Sequence, residues 1–177
     1  MTDTRTRILD LAEDFTQTKG FNNFSYLDLA AEIGVKNSSI HYHFKAKKDL
    51  ALALVERIHE ALVVACGLFV EKFEAPQERL RALINHFKSY VKNEKICMCG
   101  MMAAEFETVS PEVRKALSSY FHDMRKWLAK QFAEMNDPNP EDRALQFLSG
   151  LEGSVLLARL ESNPKMVERS LDVFVSR

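Results

Sequence analysis

The sequence has few of the features that mark secreted or membrane proteins. Its three cysteines are an odd number, which fits a reducing compartment better than a framework of disulfides. The N-terminal stretch has no apolar signal core, and the longest apolar run, residues 61–70, is far shorter than a membrane span. We therefore expect a cytoplasmic protein.

Regular β patterning is also missing, and helix-breaking residues are sparse. The 177 residues include five prolines and six glycines, and no segment shows a convincing run of alternating β-branched residues. Three prolines directly follow capping residues, at Ser110, Asn139 and Asn163, where they favour helix starts. Hydrophobic residues make up 46% and charged residues 28%, which is ordinary for a globular chain. We predict an all-α protein.

Familiar catalytic motifs are absent from the sequence. There is no P-loop, no dinucleotide-binding glycine fingerprint and no His-Glu-x-x-His motif, because His59-Glu60 lacks the second histidine. Ser38, Ser39 and His41 lie close together, but no acid lies nearby in sequence to orient the histidine. We predict that the protein is not an enzyme and needs no cofactor.

The most informative stretch of the chain runs from residue 25 to residue 50. Ser25 and Asp28 have the spacing of a capping box, which predicts a helix start, and Gly34 can end that helix in a left-handed conformation. A second short helix is predicted from about Asn37 to Phe44. Two helices joined by a short turn with glycine form the helix-turn-helix pattern, whose second helix lies in the major groove of DNA.

Positive charge is concentrated in this stretch, although the whole chain carries a net charge of -1. The first fifty residues hold seven lysines and arginines and seven acids, so they are neutral overall. Between Ile33 and Lys48, however, there are four lysines, two histidines and no acid. Contacts to DNA phosphates need such a local excess of cations, so the pattern favours a DNA partner over a merely solvated lysine face.

This stretch resembles the N-terminal domain of the TetR family of transcriptional regulators. The matching residues are Ser25, Leu29, Ala30, Gly34, Val35, Ser39, Ile40, Tyr42, His43, Phe44, Lys47 and Leu50. Lys36 and Ala46 depart from the family pattern, because serine usually caps a helix at both places, and His41 stands where tyrosine is more common. Asn37 is our candidate replacement for the first cap. We expect contacts to DNA from Ser25, Lys36, Asn37, Ser38, Ser39, His41, Tyr42, His43 and Lys47.

Apolar residues at helical spacing predict the remaining helices. A first helix over residues 4–18 supports the helix-turn-helix, and a long helix from Lys47 to about Phe73 links it to the rest of the chain. Further helices are expected near residues 77–91, after Gly100, after Ser110-Pro111, at 140–160 and after Asn163-Pro164. The expected architecture is a three-helix DNA-binding domain, residues 1–50, joined by the long helix to a helical ligand-binding and dimerisation domain, residues 51–177.

Small residues near the C-terminus predict where two chains associate. Residues 151–164 resemble the penultimate helix and turn with which TetR-family proteins dimerise through a four-helix bundle. The expected dimer residues are Gly150, Gly153, Ser154, Leu157 and Ala158. Close packing within one chain is the alternative. Dimerisation is favoured because a palindromic operator requires two recognition helices about 34 to 36 Å apart.

Cys97-Met98-Cys99, followed by Met101 and Met102, is the most unusual chemical cluster in the sequence. Such soft ligands could hold a thiophilic metal, and a thiol with a lowered pKa could sense oxidants or electrophiles. Cysteine and methionine are also common in protein cores, and the family resemblance places this segment in a helix that lines a ligand cavity. We expect cavity lining rather than metal binding, with thiol sensing as the second interpretation.

Several aromatic, histidine and sulfur-containing residues are candidates for an effector site. They are His86, Phe87, Tyr90, Cys97, Met101, Met102, Phe106, Tyr120 and Trp127, although plain core packing would produce the same helical spacing. The expected function is a ligand-responsive regulator, a repressor, that binds a palindromic DNA operator as a homodimer and is released by a small-molecule or thiol-reactive effector. The alternative is a helical ligand or redox sensor that acts through a protein partner without specific DNA binding.

Overall fold

The computed structural model describes residues 3–176, and within that range the chain forms α-helices, short 3-10 turns and no strand. The all-α prediction is therefore confirmed. The helices are α1 Thr4–Lys19, α2 Tyr26–Ile33, α3 Asn37–His43, α4 Lys47–Lys72, α5 Pro76–Lys92, α6 Met98–Ala104, α7 Pro111–Glu134, α8 Pro140–Leu160 and α9 Lys165–Leu171, with 3-10 turns at Phe21–Asn23 and Asp172–Phe174. Across the described residues, every helix is too short or too polar to span a membrane.

The helices pack as two compact units. The first unit combines the described residues up to His59 with Met98–Ser118, and the second combines Glu60–Cys97 with the described residues from Ser119 onward. Helix α6 was expected after Gly100, but it begins at Met98 and packs against α1 within the first unit. The domain boundary after residue 50 stays a prediction.

The core of the first unit is built from apolar residues one helical turn apart on four helices. Side chains with no exposed surface are Ile8 and Ala12 of α1, Leu29 of α2, Ile40 of α3, and Leu50 and Leu54 of α4. Helix α3 has only seven residues, and so short a helix is not stable alone in water. Burial of Ile40, worth about 1.5 to 3 kcal/mol, therefore helps to hold α3 in place.

Aromatic rings fill the core of the second unit. Phe87 of α5, Phe132 of α7 and Phe147 of α8 are almost completely buried. The rings of Phe132 and Phe147 meet edge to face at 5.9 Å, and Phe174 adds a third ring 5.4 Å from Phe147. Such pairs add about 0.5 to 1.5 kcal/mol each beyond the area they bury. The C-terminal turn is thereby tied to α7 and α8.

Arg79 of α5 is a buried charge that ties three parts of the second unit together. Its guanidinium donates to the carbonyl oxygens of Phe73 and Glu74, both at 2.9 Å, at the C-terminal end of α4. It also donates to Gln131 at 3.1 Å and to the Glu134 carboxylate at 2.6 Å on α7. Arg79 therefore holds the turn that follows α4 and links it to α7.

Two helix starts differ from the expected capping. Lys36 holds the N-cap position of α3 and its side chain makes no capping hydrogen bond, so the expectation that Asn37 caps this helix is wrong. Asn37 is the first residue of α3, and its buried Oδ1 has no hydrogen-bond partner among the described residues. At α4 the Asp49 carboxylate accepts from the Ala46 amide at 2.9 Å. Asp49 thus satisfies an amide at the start of α4 despite the missing serine.

Candidate nucleic-acid interface and ligand grooves

Helices α2 and α3 are joined by a tight turn that local side chains define. The Ser25 amide donates to Asp28 Oδ2 at 2.7 Å and the Asp28 amide donates to Ser25 Oγ at 3.2 Å, so the predicted capping box is present. Hydrogen bonds from Ser25 lower the pKa of the Asp28 carboxyl below its usual value. The bond from the Ser25 amide has the larger effect and the bond from its hydroxyl the smaller one. Gly34 ends α2 with a left-handed φ of 76°. These contacts fix where α3 begins.

One face of α3 is polar and open to solvent. Ser38, His41 and Tyr42 are exposed, Tyr42 by 82%, whereas Ile40 points into the core. Because residues three and four positions apart share a helix face, Ser38, His41 and Tyr42 form one ridge. The His41 ring packs edge to face against the Tyr26 ring, with 4.9 Å between the ring centres. We call these three residues the α3 ridge.

The other residues expected to touch DNA differ in their exposure. Ser25 and Lys36 are exposed, while Asn37, Ser39 and His43 are half-buried. The Ser25 hydroxyl already donates to the Asp28 carboxylate at 2.7 Å. The ridge and Lys36 are therefore the most accessible members of the predicted set, and the assignment of contacts to individual residues stays a prediction.

Lys47 lies partly inside the first unit. Its ammonium donates to the Phe24 carbonyl at 2.5 Å and lies 4.7 and 4.9 Å from the centres of the Phe24 and Phe21 rings. Burial lowers its pKa. Its neighbours Lys45 and Lys48 are exposed. The sequence pattern indicates the cationic cluster but does not distinguish these two lysines from Lys47.

The turn after α1 is joined to the segment after α6 within the first unit. Asn22 Nδ2 donates to Thr108 Oγ1 at 2.6 Å, and the Asn22 amide donates to Glu105 Oε1 at 3.4 Å. Gly20 has a φ of 95°, and a Cβ there would lie only 2.7 Å from Glu105 Oε1. A larger residue at position 20 would therefore be strained and would crowd this contact.

The candidate effector residues fall into both units. In the first unit Met102 is fully buried, Met101 is half-buried, and Phe106 is 53% exposed beneath the Arg114 guanidinium at 4.0 Å. In the second unit Phe87 and Tyr120 belong to the buried core. His86 and Tyr90 are hydrogen-bonded at 2.8 Å, and partial desolvation of the His86 ring lowers its pKa, although the residue as a whole is exposed. Their role in effector binding stays a prediction.

Cys97 is buried in the second unit beside an acid that the sequence did not indicate. It hydrogen-bonds to the carboxyl of Glu152 on α8, and burial raises the pKa of Glu152 to about 7, an effect that the hydrogen bond opposes. Glu152 Oε1 is buried without a hydrogen-bond partner among the described residues. Cys99 lies in α6 and is also buried. In residues 3–176 no three histidine, cysteine or acidic side chains are grouped to hold a metal ion.

Two open grooves border α7 in the second unit. One, of about 480 Å³, is mostly cationic and is lined by His122, Arg125, Lys126, Ala129, Lys130, Ala133, Pro140 and Glu141. The other, of about 430 Å³, is mostly apolar and lies between α4 and α7. We call it the Trp127 groove, and its lining residues are Leu62, Val63, Cys66, Gly67, Val70, Glu71, Asp123 and Trp127. Of the candidate effector residues, only Trp127 lines either groove.

Models of known families cover most of the chain. Residues 8–54 match the model of bacterial regulatory proteins of the tetR family, and residues 76–174 match the tetracyclin repressor-like C-terminal domain. The chain belongs to the TetR family. TetR-family proteins are transcriptional regulators that bind DNA, not enzymes, so the resemblance found in the sequence is confirmed.

Individual transcriptional regulators are similar to most of this chain. A TetR transcriptional regulator from Legionella pneumophila has a crystal structure with a TM-score of 0.93 and 27% identity, covering 99% of this chain and 97% of that one. An uncharacterised helix-turn-helix regulator of Lactococcus lactis is 22% identical over 96% of this chain and 90% of its own. The regulator AcuR of Cereibacter sphaeroides is 24% identical, covering 82% and 72% respectively.

Helix α8 of this TetR-family chain has an apolar outer surface. Its exposed large side chains are Leu145, Leu156, Leu157 and Leu160, exposed by 49%, 56%, 54% and 83%. Of the residues expected at a dimer contact, Leu157 belongs to this surface, and a Cβ added at Gly153 would meet nothing within 4 Å. Ser154 and Ala158 are buried within the chain, and Gly150 lies against Leu171. Only part of the predicted set is therefore free to meet a second chain.

Proposed function

We propose that this regulator is a ligand-responsive repressor that binds a palindromic operator as a homodimer and leaves it when an effector binds. The observation that carries the proposal is the α3 ridge, a solvent-facing polar helix surface with the exposed cations Lys36, Lys45 and Lys48 nearby in sequence. Exposed side chains on a recognition helix can reach base edges, and cations beside it can bind phosphates. The family model describes bacterial regulators, so we place this activity in the cytoplasm, where bacterial DNA lies.

The exposed leucines of α8 support the homodimer. Four large apolar side chains on one helix are costly to leave in water, and a second copy of α8 would cover them. The C2 symmetry of such a dimer matches the symmetry of a palindromic operator. Each recognition helix would then contact one half-site.

Release from DNA needs an effector that prefers one state of the dimer. Helix α4 is continuous from Lys47, near the DNA-binding helices, to Lys72, in the second unit, so it can transmit a shift. An effector that discriminates between the two states by about 3 kcal/mol would weaken operator binding about 150-fold.

A thiol-reactive effector is a second candidate, in which the Glu152 carboxylate, once ionised, accepts the Cys97 proton as the thiol reacts. Cys97 is only 3% exposed, so an electrophile would first have to enter the second unit. If the thiol is the sensor, Cys97→Ser should abolish release by an electrophile while operator binding itself persists. Unchanged release would leave Cys97 as a packing residue.

The proposal is tested by measuring binding of the full chain to palindromic duplexes from its own promoter region, with scrambled duplexes as controls. We expect specific binding that weakens as the salt concentration rises, with two chains per duplex in sedimentation. Absence of specific, salt-dependent binding by the unliganded protein would contradict the proposal. It would favour the alternative in which the protein acts through a protein partner.

A further inference from the structure

The Trp127 groove has the size and lining of a small-molecule site. Its volume of about 430 Å³ lies within the range of ligand pockets, and α4 contributes an apolar wall that includes Leu62, Val63 and Val70. Cys66 belongs to the same wall, and burial raises the pKa of its thiol to about 12. At neutral pH this thiol is therefore uncharged and unreactive, and it acts as part of the apolar surface.

The indole N–H of Trp127, a residue that lines the groove, is an unsatisfied hydrogen-bond donor. Trp127 Nε1 is buried and has no hydrogen-bond partner among the described residues. A buried donor without an acceptor is costly, so a ligand whose acceptor reaches Nε1 after a small rotation of the indole into the groove gains affinity over one that lacks an acceptor. The indole ring also offers a flat apolar face, supported by Phe69 at 6.4 Å between ring centres.

The charge at the groove favours a cation. Its two charged lining residues, Glu71 and Asp123, are acids, and both are exposed. The neighbouring groove on α7 has the opposite character, with Arg125, Lys126 and Lys130 against one acid. Fields of this kind raise the local concentration of ligands of opposite charge. The Trp127 groove therefore discriminates against anions.

We propose that the Trp127 groove binds an apolar cation that carries a hydrogen-bond acceptor, and that ligands of this class are effectors of the regulator. The apolar part packs against α4 and the indole, the acceptor receives the Trp127 Nε1 hydrogen, and the positive end lies near Glu71 and Asp123. Because α4 and α7 form opposite walls, the ligand favours one spacing of these helices in the second unit. The effector role rests on the proposed function, whereas the binding itself does not.

Binding can be measured directly because Trp127 is the single tryptophan of the chain, so its emission reports on this groove. The probe is octanoylcholine, which combines an acyl tail, an ester carbonyl and a quaternary ammonium group and does not absorb where tryptophan is excited. We expect a saturable change in Trp127 emission. No saturable change would overturn the proposal.

Three matched probes separate the contributions of the hydrogen-bond acceptor and of the positive charge to binding. Dodecyltrimethylammonium has the charge but no acceptor, and we expect it to bind about tenfold more weakly. The uncharged isostere of octanoylcholine, with a tert-butyl group in place of trimethylammonium, should bind about threefold more weakly, because exposed carboxylates contribute little. Dodecanoate should bind least. Equal affinity for dodecanoate and octanoylcholine would overturn the assigned ligand class.

Variants locate the site without relying on a destabilised protein. A Cβ at Gly67 would meet nothing within 4 Å, so Gly67→Leu places a side chain in the groove while raising helix propensity. We expect it to weaken octanoylcholine binding at least about tenfold. Val64→Leu enlarges an exposed residue of the same helix outside the groove and is the control. Trp127→Phe, measured by calorimetry, should remove the advantage of octanoylcholine over dodecyltrimethylammonium. Unchanged binding in Gly67→Leu would overturn the site.

The effector role is tested with operator DNA. Saturating octanoylcholine should weaken operator binding of the wild-type protein and leave that of Gly67→Leu unchanged. Binding in the groove without any effect on DNA affinity would overturn the effector role. A wild-type protein that binds the probe but no operator would instead show that the proposed function fails, since the probe titration involves no DNA.

Discussion

The two units of this chain present their functional side chains in different ways. In the first unit, the α3 ridge consists of exposed polar residues that a seven-residue helix presents to solvent. In the second, the notable polar groups are buried: the Glu152 carboxyl against Cys97, and Nε1 of Trp127, whose side chain lines an open apolar groove. A solvent-facing surface on one short helix is defined by local sequence, whereas a buried group or a groove between helices is defined by how distant residues pack.

The pKa values of two acids, one in each unit, are shifted in opposite directions. The carboxyl of Asp28 is exposed and its pKa is lowered by hydrogen bonds from Ser25, so it is favoured as an anion. The carboxyl of Glu152 is buried and its pKa is raised to about 7, so its neutral form is favoured. Opposite pKa shifts of two acids follow from hydrogen bonding in one place and desolvation in the other.

The largest effect is expected from the core beneath the α3 ridge. Ile40→Ala removes a completely buried side chain and should lower the free energy of unfolding by about 3 kcal/mol, because the cavity cannot collapse fully. Urea denaturation followed by circular dichroism measures it. Leu27→Ala, at a residue 66% exposed in the same unit, is the control and should change stability little. Equal effects of the two variants would contradict the packing described for α3.

Glu152 gives the second unit a pH dependence of opposite sign to that of Asp28. Its folded pKa of about 7 lies above the ordinary glutamate value of 4.5, so the folded state binds the proton more tightly. The resulting stabilisation is complete below pH 4.5 and is lost as the pH rises through about 7. Glu152→Gln should remove this loss of about 3 kcal/mol between acidic and alkaline pH. Parallel stability profiles of variant and wild type would show that this carboxyl is not desolvated.

The variant Arg79→Met tests whether the stability of the second unit depends on the buried charge of Arg79. Arg79→Met keeps the volume of the side chain but leaves two carbonyl oxygens and Glu134 without their donor, so we expect a loss of about 2 kcal/mol. Denaturation followed by Trp127 emission is suitable, since this residue lies in the same unit. Arg125→Met, at an exposed arginine of α7, should have almost no effect. A similar loss in both variants would argue against the specific contacts of Arg79.

The smallest effect is expected from the Asp28 cap. Its folded pKa lies below 3.8, so the cap stabilises the protein above that value and the stabilisation is lost as the pH falls through the folded pKa. Wild type should therefore be more stable than Asp28→Asn at neutral pH, with the two converging in strong acid. Thermal denaturation of both proteins at a series of pH values measures this difference in stability. A stability difference that persists unchanged at low pH would contradict the role of the carboxylate.

The elements of the first unit follow from short-range signals in the sequence. The Ser25 and Asp28 spacing and Gly34 predict where α2 begins and ends, and both features are present. The start of α6 was missed because Met98 begins a helix in a segment with no capping pattern. The location of Lys47 was also missed, since its contact to Phe24 joins residues 23 positions apart.

The second unit is less predictable because its sites depend on distant residues. Glu152 stands among small and apolar residues of α8, and only packing brings Cys97 against it. Trp127 was a candidate ligand residue, but its groove needs the wall supplied by α4. Helical spacing identifies which side chains face inward, but it does not distinguish a filled core from a groove.

The central claim, that the first unit binds DNA through the α3 ridge and its flanking lysines, is tested most directly by the salt dependence of operator binding. The measurement compares wild type with Lys45→Ala, and with Lys126→Ala at an exposed lysine of α7 as the control. We predict that Lys45→Ala weakens binding to all sequences and lowers the salt slope by about one, while Lys126→Ala matches wild type. An unchanged slope in Lys45→Ala, or equal losses in both variants, would contradict this account.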